Sequence, residues 1–118
     1  MTQAWVVLTG PDGRDIAAPS ASQMAAALAE VYQMPDQGQE QDSAVLSFGY
    51  DDGLMYELEV GRGGNVKFEE WSDSDREIAL ASPQTMSALT QDQALQLWTW
   101  LAQRQVSKIR SQPWISAD

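Results

Sequence analysis

A regular alternation of apolar and polar residues over residues 44–69 constrains the fold of this chain most strongly. Apolar side chains recur at every second position in three segments, residues 44–50, 54–60 and 66–69. A period of two places successive side chains on opposite faces of a strand. The turn sequences DDG and GRGGN separate the segments. We therefore predict a three-stranded antiparallel meander with one buried and one solvated face.

The N-terminal third predicts two strands and a helix. Residues 5–9 are apolar and β-branched, and residues 14–17 could form a short returning strand. A helix that runs to about Gln33 should follow, with Ser20 or Ser22 as its N-cap and Pro35 beyond its end. Its apolar stripe has helical spacing and consists of Met24, Leu28 and Val31.

The C-terminal part predicts a capped helix that carries two tryptophans. Thr90 and Gln93 have the spacing of a capping box, in which each side chain accepts a hydrogen bond from the other residue's backbone. Trp98 belongs to the helix's apolar stripe, whereas Trp100 lies about 110° from the centre of that stripe. We expect Trp98 in the core and Trp100 at its boundary. The other stripe residues are Ala94, Leu97 and Leu101.

These elements predict an α+β fold in a single domain covering residues 1–118. We expect an antiparallel meander sheet of four to five strands, packed on one face by two helices. Residues 77–80 are a candidate fourth strand of the meander. Pro113 and Trp114 should fold back over the body of the domain.

Composition restricts the classes of function. The chain has neither cysteine nor histidine, so it lacks thiolate chemistry and the commonest general base. We expect a protein that is not an enzyme and needs no cofactor or metal. With 17 acidic and 7 basic residues its net charge is −10, which disfavours nucleic acids and anionic membranes and favours basic partners. The N-terminus has no signal-peptide pattern, so we expect a cytoplasmic protein.

Three short patterns resemble chemical sites, but ordinary turns, loops and strand faces account for them better. Residues 61–64, GRGG, lead into a strand, whereas a phosphate-binding loop leads into a helix. Residues 73–77 begin like a calcium loop, but Ile78 and Gln84 stand where glycine and glutamate are required. Glu57 and Glu59 could form a carboxylate pair for glycoside chemistry, although a solvated strand face accounts for them more simply.

The acidic residues are concentrated in one segment. Residues 36–77 contain twelve acidic and three basic residues, a net −9 out of the total of −10. We expect Trp71 to lie in an acidic loop over residues 69–77, and a tryptophan ringed by carboxylates suits the binding of a basic protein partner. The contacts we predict are Asp51, Asp52, Glu69, Glu70, Trp71, Asp73 and Asp75, with Trp100 as a possible additional contact.

Residues 43–114 resemble the Imm1 family of bacterial immunity proteins. The similarity lies in AVLSFGYDDGLMYELEV, in GNVKFEEW, in the capped helix LTQDQALQLWTWLAQ and in Trp114. The resemblance implies a non-enzymatic protein that binds one cognate toxin domain and blocks its active site. The alternative is a small chaperone or adaptor for a secreted effector, and a carboxylate-based enzyme is a third possibility.

Overall fold

A computed structural model describes residues 4–10, 14–33, 43–50, 53–61, 64–72, 80, 84–87 and 89–116. Within these residues seven strands form one antiparallel sheet in the order β2-β1-β3-β4-β5-β6-β7. The strands are β1 Ala4–Thr9, β2 Asp15–Ala17, β3 Ser43–Tyr50, β4 Met55–Gly61, β5 Asn65–Trp71, β6 Gln84–Met86 and β7 Ile115–Ser116. The helices are α1 Ala21–Gln33, α2 Gln91–Ala102 and α3 Val106–Arg110.

The predicted α+β class and the central meander are confirmed. β3, β4 and β5 pair along nearly their whole lengths, with Leu46 opposite Leu58 and Leu58 opposite Phe68. Every second residue of these strands faces α1 and α2, as the alternation predicted. One core therefore lies between the sheet and the helices.

The numbers of strands and helices differ from the prediction. The described residues form seven strands instead of four or five, and three helices instead of two. The additional elements α3, β6 and β7 have five, three and two residues. Segments this short carry no measurable periodicity, because one face contributes only one or two side chains.

The predicted strand at residues 77–80 falls largely outside the described residues, which include only Leu80 of that segment. The Leu80 backbone N–H donates to the Glu70 carbonyl over 2.9 Å. The next strand of the sheet is β6, whose Gln84 pairs with Phe68 of β5.

A reciprocal capping box starts α1 at Ser20, which decides between the two serines considered. The Gln23 backbone N–H donates to Ser20 Oγ over 3.1 Å. The Ser20 N–H in turn donates to Gln23 Oε1 over 2.8 Å. Two donors that would otherwise be unsatisfied at the helix start are thereby paired.

α2 shows the capping box predicted at Thr90 and Gln93. Its apolar stripe is buried against the sheet, and Trp98 is fully buried. The Trp98 indole N–H donates to the Leu58 carbonyl of β4 over 3.1 Å. Because a buried indole N–H needs an acceptor, this bond fixes the position of α2 over the central strand.

Aromatic rings continue across the helix-facing side of the sheet into the C-terminal segment. Phe48, Tyr56 and Phe68 stack in sequence, with ring centroids 6.2 and 6.4 Å apart. Trp114 extends the series and stacks on Phe68 at 5.5 Å, while its indole N–H donates to the Ile109 carbonyl over 2.7 Å. The C-terminal segment therefore folds back over the body of the domain, as predicted.

Candidate protein-binding face of the sheet

The outer face of the sheet is the face turned away from the helices. Most of its side chains that could contact a partner belong to β1, β3, β4 and β5. Strand register places alternate residues of each strand on this side. The side chains of the outer face include Trp5, Val7, Val45, Ser47, Met55, Glu57, Glu59, Lys67, Glu69 and Trp71.

An aromatic row crosses one end of the outer face. Trp5 pairs with Gly49, Gly49 with Met55, and Met55 with Trp71. A Cβ atom at Gly49 would lie 2.8 Å from Cε2 of Trp5, so the indole ring lies directly against the glycine backbone. Met55 is 3% exposed. Because Gly49 has no side chain, the Trp5 ring can lie flat on the sheet. The strand register places the Trp71 ring at the same edge of the outer face.

Two carboxylates lie directly opposite each other beside this row. Glu57 of β4 pairs with Glu69 of β5, and Glu57 is only 7% exposed. Ser47 Oγ donates to the Glu57 carboxylate over 3.2 Å, and Lys67 Nζ lies 3.5 Å from that of Glu69. Like charges at directly opposite positions are destabilising, and the contacts with Ser47 and Lys67 offset part of that repulsion.

The prediction that the outer face is solvated is wrong at four positions. Ser47, Gly49, Met55 and Glu57 are all buried. The error has a physical cause, since alternation assigns side chains to two faces but does not show that the second face meets water. The simple interpretation of Glu57 as a solvated strand residue therefore does not hold.

The structure separates two glutamates that the sequence placed in one acidic loop. Glu69, Glu70 and Trp71 all belong to β5. Glu69 and Trp71 lie on the outer face, whereas Glu70, opposite Tyr56, lies on the helix-facing side. The expectation of an irregular loop at these residues is thus corrected, because the strand continues to Trp71.

Glu70 is engaged in a contact between β5 and α3. Arg110 Nε donates to Glu70 Oε1 over 3.2 Å, and Nη2 makes a second, shorter bond to the same oxygen. The Arg110 guanidinium also lies 5.8 Å from the centre of the Tyr56 ring. The hydrogen bond to Glu70 raises the pKa of Arg110 above its usual range.

Trp71 has an unsatisfied polar group. Its indole N–H is buried and donates to no acceptor among the residues that the structure describes. Buried donors are almost always paired in folded proteins.

Trp100 lies in a different layer. It is half-buried and packs against the core from α2, next to Pro113. The predicted boundary position of Trp100 near Pro113 is thereby confirmed. The sheet separates it from Glu69 and Trp71, so these three residues do not form one patch.

Several predicted contacts lie outside the described residues, namely Asp51, Asp52, Asp73 and Asp75. The described neighbours Tyr50, Gly53 and Ser72 lie at the end of the sheet that carries the aromatic row. Sequence reasoning missed Trp5 and Ser47 as members of this face. The alternation in residues 5–9 could have placed Trp5 there only if the pairing of β1 with β3 had been known.

The described part of the chain holds no metal-binding cluster and no membrane span. No group of three or more acidic side chains is arranged there to hold a metal ion. No helix among those residues is both long and apolar enough to cross a membrane.

Comparison with known proteins gives no relative. No family model, curated protein or solved structure matches the chain. Its function must therefore be inferred from its own residues and surfaces.

Proposed function

We propose that this chain is an immunity-type protein that binds one cognate bacterial toxin domain and masks its active site. The binding surface is the outer face of the sheet around Trp5, Trp71 and Glu69. The observation that carries the proposal is the adjacency of the aromatic row to the opposed Glu57–Glu69 pair. The resemblance of residues 43–114 to Imm1 immunity proteins supports the same conclusion.

The aromatic row supplies the anchor that a protein interface needs. Binding free energy at interfaces is concentrated in a few residues, with tryptophan among the most frequent. Trp5 and Trp71 are both half-buried in the free chain, so little side-chain freedom remains to be lost on binding.

The carboxylates favour a basic partner. A lysine or arginine placed between Glu57 and Glu69 would turn a repulsive pair into a bridged one. The net charge of −10 would accelerate encounter with a basic toxin cleft, and salt would weaken that effect. A toxin that acts on nucleic acids or nucleotides has this kind of cleft.

The proposed surface includes some predicted contacts and leaves out two. Asp51, Asp52, Asp73 and Asp75 stay predictions, supported by the position of their described neighbours beside the aromatic row. Glu70 and Trp100 are left out, because they lie on the helix-facing side. We further propose that the protein acts in the cytoplasm, where it would protect the cell that produces the toxin.

The experiment is a rescue and binding test with the product of the neighbouring gene. Co-expression should abolish the toxicity of that product, and the purified pair should form a tight complex that excludes the toxin's substrate. Expression of Trp71→Ala in place of the native chain should weaken rescue, whereas Gln103→Ala at the C-cap of α2 should not. Binding to several unrelated secreted proteins, without inhibition of any, would instead identify an adaptor.

A further inference from the structure

A crevice between α2, β6 and the segment after α3 is separate from the outer face. Its volume is about 220 Å³, below the roughly 300–1,000 Å³ of pockets that hold drug-sized ligands. It is lined by Met86, Leu89, Gln93, Gln96, Leu97, Trp100, Gln112 and Pro113. The lining combines one indole and several apolar side chains with three amides, and none of its described residues is charged.

Two of the amides are held by the fold in defined orientations. Gln93 Oε1 accepts the Thr90 backbone N–H over 2.8 Å, which leaves the Gln93 amide nitrogen as a donor. Gln112 Nε2 donates to the Lys108 carbonyl over 3.0 Å, which leaves its oxygen as an acceptor. The crevice therefore has a fixed donor and a fixed acceptor, because each amide already uses its opposite atom.

The third amide is available to a ligand. Gln96 is exposed on α2, and no hydrogen bond joins its side chain to the residues that the structure describes. An amide can donate and accept at once, so Gln96 can adapt to either group on a ligand. Beside it, the half-buried Trp100 ring offers an apolar surface.

We propose that this crevice binds one ring of an uncharged sugar. Each sugar hydroxyl both donates and accepts, so neighbouring hydroxyls can pair with the donor of Gln93 and the acceptor of Gln112. The C–H groups on one side of the ring are weakly positive and suit the negative face of an indole, here Trp100. The volume admits a single ring.

The charge of the chain selects against other ring-shaped ligands. A nucleotide or a sugar phosphate would approach a protein of net charge −10, and no basic residue stands among the described residues of the crevice lining to receive its phosphate. Phosphate recognition relies on such residues or on a helix N-terminus, and the N-terminus of α2 beside the crevice is already capped by Thr90 and carries the acidic Asp92. A neutral sugar is not subject to this repulsion.

The test is a ligand titration of the full chain, monitored by two-dimensional amide NMR. Methyl glycosides of glucose, galactose and N-acetylglucosamine are the probes, with glucose 6-phosphate and uracil as comparisons. At least one glycoside should shift the Trp100 indole and glutamine side-chain signals, with a Kd on the order of 1 mM for so small a ligand. Glucose 6-phosphate should bind more weakly than methyl glucoside.

Matched variants place the binding in the crevice. Gln96→Leu should weaken glycoside binding at least tenfold and leave the rest of the spectrum unchanged, because the Gln96 side chain is exposed. Gln103→Leu, at the C-cap of the same helix but outside the crevice, should bind like the native chain. Absence of shifts with all three glycosides, stronger binding of uracil, or equal binding by Gln96→Leu would overturn the proposal.

Discussion

Glu57 and Glu69 lie directly opposite each other on β4 and β5, although Glu57 is only 7% exposed. A double-mutant cycle should show that this pair is repulsive. With Glu57→Gln, Glu69→Gln and the double variant, we expect an unfavourable coupling of about 0.2–1 kcal/mol in the native chain. Urea unfolding of the four proteins measures this coupling free energy. The cycle cancels the contribution of the Glu57 contact with Ser47 and that of the Glu69 contact with Lys67. A coupling of zero or of favourable sign would show that the two carboxylates do not repel.

The contact between Trp5 and Gly49 predicts a steric effect. Gly49→Ala should destabilise the chain by about 1–3 kcal/mol, because the new methyl would lie 2.8 Å from Trp5 Cε2 and 2.9 Å from the Leu54 carbonyl oxygen. Gly61→Ala is the control, since the nearest atom to its methyl would be 3.6 Å away. It should change the free energy of unfolding by no more than about 0.5 kcal/mol. Equal effects of the two substitutions would rule out close packing at Gly49.

The bond from Trp98 to the Leu58 carbonyl predicts that the two tryptophans of α2 differ in their contributions to stability. Trp98→Ala should cost about 3–5 kcal/mol, through a lost core side chain and the cavity it leaves. Trp98→Phe should cost about 1–3 kcal/mol, because most of the packing survives but the indole donor is lost. Trp100→Ala should cost about 1–2 kcal/mol, since that ring is half-buried. If Trp100→Ala proves as costly as Trp98→Ala in thermal unfolding, the assignment of helix faces is wrong.

The pair of Glu70 and Arg110 predicts a modest, salt-sensitive link between β5 and α3. Arg110→Gln should cost about 0.5–1 kcal/mol, a small value because the Arg110 side chain is 54% exposed. The stability lost in Arg110→Gln should be smaller in high salt. Because the pKa of Arg110 is raised, its charge and its contribution should persist from neutral to mildly alkaline pH and be lost only at still higher pH. If the free energy of unfolding lost in Arg110→Gln varied between about pH 7 and pH 9, this prediction would be contradicted, since arginine stays protonated throughout that range.

The parts of the fold that depend on local chemistry could be predicted from the sequence. The capping box at Thr90 and Gln93, the meander and the burial of Trp98 each follow from spacings within a few residues. α3 and the C-terminal strand could not be predicted, because they are positioned by distant contacts such as the stack of Trp114 on Phe68. Local propensity is weak in such short segments.

The candidate site was predictable only in part. The acidic character around Trp71 is visible in the sequence, but the division of Glu69 and Glu70 between two faces requires knowing that β5 extends to Trp71. The aromatic row could not be inferred, since it joins Trp5 of β1 and Trp71 of β5 through the register of four strands. Pairing between distant strands is fixed by the whole fold and not by either segment.

The rate at which the chain associates with the toxin encoded by the neighbouring gene tests the central proposal most directly. We expect Glu69→Gln to slow association several-fold at low salt, with the difference shrinking as salt is raised. The matched control is Glu30→Gln, which removes the same charge from an exposed position of α1, on the other side of the sheet. We predict that Glu69→Gln associates clearly more slowly than Glu30→Gln. Equal rates for the two variants at low salt would contradict the outer face as the toxin-binding surface.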